Sequence, residues 1–127
     1  MRMSRIGFDS LGDAILGKLA ATGLSDVLDD ATLRLVQRLV PLRIFLFGSA
    51  VRGTMSPDSD LDFLVVVPEG SDCRRLMVEA HRELRDLPVA KDVLVTTPSR
   101  LEASRNDLGS VFFDVLREGK VIYEHET

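Results

Sequence analysis

A single cysteine, Cys73, stands among 127 residues, so no internal disulfide can form, and no ligand-spaced partner accompanies it to suggest a metal knot. The chain is therefore expected in the cytoplasm, with Cys73 an ordinary small thiol near a helix start. Long apolar runs are missing too, none reaching the ~18 residues of a membrane span. No apolar stretch follows Arg2 and Arg5, so a secretory leader is not expected. Surplus positive charge is absent: 16 Lys and Arg against 20 Asp and Glu leave a net charge of −4. The broad basic face that a long nucleic-acid polymer requires is not supplied by this composition. Neither internal repeats nor low-complexity linkers interrupt the sequence.

What is present describes a globular chain, with 45% apolar and 28% charged residues. Its length fits one domain over 1–127 that buries roughly two-thirds of its unfolded surface, with a helical N-terminal part at 1–40 and a motif-bearing core at 42–124. Leu11, Ile15, Leu16 and Leu19 fall at helical spacing before a stop at Thr22-Gly23. Asp29 or Asp30 is a candidate cap for a second helix with the stripe Leu33, Val36, Leu39 and Val40, ended by Pro41. Strand patterns follow at 42–47 and 61–67, separated by the turn chemistry of Ser56-Pro57-Asp58-Ser59 and closed by Pro68-Glu69-Gly70. An amphipathic helix is expected over 72–87, with His81 on its solvated side. A strand at 89–95, helices at 99–106 and 110–117 and a strand at 120–123 complete a mixed α/β order with a small sheet. The apolar positions of the last helix, Val111, Phe112, Val115 and Leu116, read as core. Tyr123 reads as packing, with self-modification the lesser alternative.

Two halves of one constellation lie in 45–67. Asp60 and Asp62, spaced i, i+2, share a strand face with Leu64 and Val66, while Leu61, Phe63, Val65 and Val67 take the other. The third strand repeats the device, placing Asp92 with Ala90 and Leu94 opposite Val93 and Val95. Were the two strands neighbours in register, three carboxylates would converge, and at 4 Å each like-charge pair repels by about 1 kcal/mol in water. A cation is expected to hold them, and oxygen-only donors point to Mg²⁺ or Mn²⁺ shared with substrate phosphates. Gly48-Ser49 supplies the complementary half. Glycine admits a polyphosphate to the backbone, N–H groups at Ser49, Ala50 and Val51 can donate to it with the Ser49 hydroxyl, and Arg52 can neutralise its charge beside Gly53.

Gly48-Ser49, ten residues, then Asp60-Leu61-Asp62 resembles the signature of the DNA polymerase β-like nucleotidyltransferase superfamily. The run Phe47 to Gly53, with Ser59 before the acids, resembles its small MNT-type members, and the likeness extends to Asp92, Glu118-Gly119 and Ile122-Tyr123-Glu124. The resemblance implies an α/β fold with a small mixed β-sheet flanked by helices, and metal-dependent transfer of AMP from ATP to a hydroxyl. On that likeness Asp60, Asp62 and Asp92 are catalytic metal ligands for two Mg²⁺ ions, with Mn²⁺ the alternative. Gly48, Ser49 and Arg52 bind the nucleotide. Residues 1–40 match no motif.

At this length the chain is expected to lack the extra acceptor-binding domain that many relatives carry. Small MNT proteins are commonly antitoxins paired with a HEPN ribonuclease toxin, so the expected acceptor is a toxin tyrosine, in a homo- or hetero-oligomer. Two other readings stand beside it: neutralisation by binding alone, and nucleotidyl transfer to a small molecule of the aminoglycoside type. The last needs an acidic acceptor pocket, for which Asp58, Glu69 and Asp72 are surplus acids, each more simply a solvated loop charge.

Overall fold

A computed structural model describes residues 24–52 and 60–125. The expected first helix, with Leu11, Ile15, Leu16 and Leu19, and the turn at Ser56 to Ser59 lie outside the described residues. Helix α1 spans Leu24–Leu39. It begins upstream of Asp29 and Asp30, which sit inside the helix and do not cap it. Its buried stripe is Leu28, Ala31, Leu35, Val36 and Leu39, so the expected Leu33 is only half-buried and Val40 is exposed. Thr32 explains the shift, because this polar residue is fully buried on the apolar face. Its hydroxyl donates to the Leu28 carbonyl at 2.8 Å, which satisfies the group without another partner. The helix stops where Val40 adopts φ 48°, ahead of Pro41, whose ring disfavours a helical predecessor.

Four strands follow: β1 (Arg43–Phe47), β2 (Leu61–Val66), β3 (Lys91–Thr96) and β4 (Lys120–Glu124). They lie in the order β3-β2-β1-β4. Strand β1 is antiparallel to β2 and β4, and β2 is parallel to β3, so the sheet is mixed. Helices α2 (Ser49–Arg52), α3 (Cys73–Glu83), α4 (Pro98–Ala103) and α5 (Val111–Glu118) complete the described elements.

The two-residue period of β2 divides the core. Leu61, Phe63, Val65 and the adjoining Val67 pack with Ile44, Leu46 and Val93 against α1 and α3. Leu64 and Val66 pack with Phe45 against Leu101 of α4 and Val115 of α5. Helices thus cover both faces of β2, as its nearly continuous apolar run requires. One irregularity breaks the alternation in β4. Ile44 pairs with Tyr123 and Phe45 with Val121, leaving Ile122 as an extra residue. This bulge puts both Ile122 and Tyr123 into the α1/α3 core. Tyr123 is 1% exposed, and burial raises its hydroxyl above the ordinary tyrosine range, which fits packing and not modification.

Helix α3 is shorter than its pattern suggested. Asp72 is its N-cap, accepting from the Arg75 N–H at 3.1 Å, and the helix ends at Glu83 because the chain must turn before Pro88. Leu84 and Leu87 are buried within that turn, and β3 accordingly starts at Lys91, not at residue 89. Ser110 caps α5 by accepting from the Phe112 N–H at 3.1 Å.

Candidate active site

The carboxylates gather at one end of β2 and β3. In the parallel register Asp62 stands directly beside Asp92, and both belong to the face carrying Leu64 and Leu94. The convergence expected from spacing is therefore present for this pair. Asp60 lies exposed just ahead of β2, two residues before Asp62. The pairing follows from the apolar run, since placing Phe63 and Val65 in the α1/α3 core leaves Asp62 no face but the other.

Gly48 meets this pair from β1. Phe47 pairs with Asp62 across the antiparallel ladder, and the chain then turns through Gly48 at φ 81°. A Cβ there would collide with Asp62 Oδ2 and lie 3.3 Å from its Cγ, so only glycine permits this approach. Helix α2 starts at once with half-buried Ser49. Of the expected phosphate donors, Val51 N–H is engaged by the Gly48 carbonyl at 3.1 Å. Arg52 closes α2, and its side chain, with Gly53 and Ser59, lies outside the described residues.

Two features escaped the sequence reading. His81 of α3 reaches the edge strand, its Nε2 3.2 Å from the Val93 carbonyl and 3.6 Å from Asp92 Oδ1. A carbonyl only accepts, so Nε2 carries the proton. No pattern within the helix signals this, because the contact arises from how α3 crosses β3. The second is a cavity of about 390 Å³ beside Gly48, lined by Phe47, Val111, Asp114, Arg117 and Glu118. Arg117 lies 3.3 Å from Glu118 and 3.6 Å from Asp114, with its guanidinium 5.7 Å from the Phe113 ring centroid.

The surplus acids have structural work. Glu69 accepts from Ser99 N–H at 2.7 Å and from its hydroxyl at 2.9 Å, tying the turn after β2 to the start of α4, while Asp72 caps α3. Asp58 lies outside the described residues.

Among the described residues no three His, Cys, Asp or Glu side chains form a ready coordination sphere. What the site offers is a side-by-side carboxylate pair with a third acid nearby. That donor set fits a hard divalent cation that takes its remaining oxygens from water and phosphate. Among the described residues no helix is long and apolar enough to cross a membrane.

No curated protein matches the chain in sequence. A chain of a solved toxin-antitoxin complex with AMP-PNP is similar over 76% of this chain and 73% of that one, at 22% identity and a TM-score of 0.47. The profile of the nucleotidyltransferase domain family matches residues 30–122. That stretch takes in β1, the Gly48 turn and both acid-bearing strands, and the chain belongs to the nucleotidyltransferase domain family.

Proposed function

We propose that this chain is a cytoplasmic protein adenylyltransferase that moves AMP from ATP to a tyrosine hydroxyl of a HEPN ribonuclease toxin and so acts as its antitoxin. The observation that carries the transfer chemistry is the register pairing of Asp62 with Asp92 at the glycine turn whose backbone abuts Asp62. The choice of toxin and tyrosine rests on the sequence likeness to small MNT proteins.

In this reading Gly48 admits the triphosphate to the backbone, and the Ser49 hydroxyl donates to its oxygens with Arg52 in support. Asp60, Asp62 and Asp92 would hold two Mg²⁺ ions, or Mn²⁺, which would supply charge stabilisation at the phosphate oxygens. The acceptor oxygen bonds to the α-phosphorus, the bond from that phosphorus to the β-bridging oxygen breaks, and pyrophosphate leaves. The hydroxyl proton passes to the Asp92 carboxylate. Positioning supplies most of the remaining rate, since the reacting groups are held rather than found by diffusion.

Intact mass of the protein encoded beside this gene tests the reading, after co-expression with wild-type chain and with Asp62→Asn. Added AMP units that vanish with the variant are expected. An unmodified partner held in a stable complex by both versions would establish neutralisation by binding in its place.

A further inference from the structure

Charges on α3 divide into two groups. On one side Glu79 is shared by Arg75 at 2.5 Å and by Arg38 of α1 at 3.1 Å, and Asp86 beyond the helix is held by Arg34 at 2.6 Å. These acids are consumed inside the molecule. On the other side Arg82 and Arg85 form no side-chain ion pair among the described residues. They line a cavity of about 340 Å³ together with Met77, Val78 and His81. The five residues lie at helical spacing, 77 with 81 and 78 with 82, and the stripe runs on into the turn at Arg85. Val78 is 47% exposed in it, an apolar surface one helical turn before Arg82. Midway along the stripe His81 lies 3.6 Å from Asp92, which belongs to β3, the edge strand of the described sheet.

We infer that this stripe is the docking surface for the acceptor, and that the acceptor is a protein segment whose modified hydroxyl is flanked by Asp or Glu. Guanidinium groups match carboxylates bidentately, and such pairs across an interface fix register as well as attraction. The stripe is a local cationic patch on a chain of net charge −4, which favours a short acidic segment over a long polynucleotide, whose binding scales with many phosphate contacts. His81 belongs to the same stripe as Arg82 and Arg85 and contacts Asp92, so a segment bound on the stripe lies next to the residue that touches that acid. The assignment of this surface to the acceptor rests on reading Asp92 as the acid beside the accepting hydroxyl.

The test is fluorescence anisotropy at low salt with the full chain and three labelled probes: a peptide with tyrosine flanked by glutamates, the same peptide with glutamines, and a single-stranded RNA oligonucleotide. The glutamate peptide is expected to bind about tenfold more tightly than the glutamine peptide. Arg82→Glu with Arg85→Glu should erase that preference, and Arg74→Glu with Lys120→Glu, an equal change of charge elsewhere, should keep it. Equal binding of the two peptides, or a preference unchanged by the Arg82/Arg85 reversal, overturns the proposal. RNA binding through these arginines without peptide binding overturns it in favour of a nucleic-acid partner. Incorporation from labelled ATP is read in parallel. Arginine-dependent binding without any transfer would count against the transferase reading and leave the stripe a docking surface for acidic segments, with its assignment to an acceptor overturned. Transfer with no dependence on these arginines would do the reverse.

Discussion

Gly48 and Asp62 approach so closely that no methyl group fits between them: a Cβ on Gly48 would overlap Asp62 Oδ2. Gly48→Ala therefore acts twice. The left-handed φ of 81° costs an alanine about 1 kcal/mol, and the new methyl displaces the Asp62 carboxylate. Urea unfolding should show a loss of at least ~1 kcal/mol, and the AMP transfer proposed above should fall by about 100-fold because the Asp62 carboxylate is displaced. Adding Asp62→Ala should recover part of the lost stability and none of the activity, since it relieves the overlap but not the φ.

Asp92→Asn separates the cost of the acid pair from its use. Asp92 is exposed and directly beside Asp62, so in metal-free chain the substitution should leave stability unchanged or raise it by up to ~1 kcal/mol. A cation and nucleotide that bind only the folded chain raise Tm by mass action. The Tm rise on adding ATP with Mg²⁺ or Mn²⁺ should be large for wild type and nearly absent for Asp92→Asn. An undiminished rise would remove Asp92 from the ligand set.

Much of the site was legible because a strand has the shortest period a sequence can carry. Phe63 and Val65 had to face one core, which put Asp62 on the opposite face, and Asp92 followed by the same parity beside Val93 and Val95. Features set by packing between elements were not legible. His81 reaches Asp92 only because α3 crosses the sheet edge there, and Ile122 escapes alternation only because β4 carries a bulge. Thr32 concealed the buried stripe of α1, since a hydroxyl returned to its own helix reads as polar in sequence and behaves as apolar in the core.

Val40 is a position where the chain is less stable than it needs to be. It is a β-branched residue at φ 48° and 49% exposed, so its side chain gains little burial while its backbone is strained. Its N–H still donates to the Val36 carbonyl at 3.0 Å, the bond expected just past a helix end, where glycine is preferred. Val40→Gly should raise the unfolding free energy by about 0.5–1 kcal/mol, the relieved strain outweighing the added freedom of the unfolded chain. Denaturant titration at neutral pH checks this, and a loss of stability would mean that Val40 packs more than its exposure indicates.

Acid should destabilise the fold through two defined contacts. The Ser99 N–H and then its hydroxyl hold Glu69 below its ordinary 4.5, and the Arg34 guanidinium holds Asp86 below its ordinary 3.8. A carboxyl depressed by folding binds fewer protons folded than unfolded, so its contribution is complete above the ordinary value and is lost as pH falls through the depressed one. Asp29 runs the other way, raised by burial and then by Asp26, so it subtracts stability as pH rises past 3.8. Urea midpoints followed from about pH 2 to 7 should therefore rise less steeply in Glu69→Gln and Asp86→Asn than in wild type. Asp29→Asn should steepen the rise and leave the chain more stable at neutral pH. The three variants move the acid limb in opposite senses from a common wild-type curve, so a general loss of folding cannot imitate the pattern.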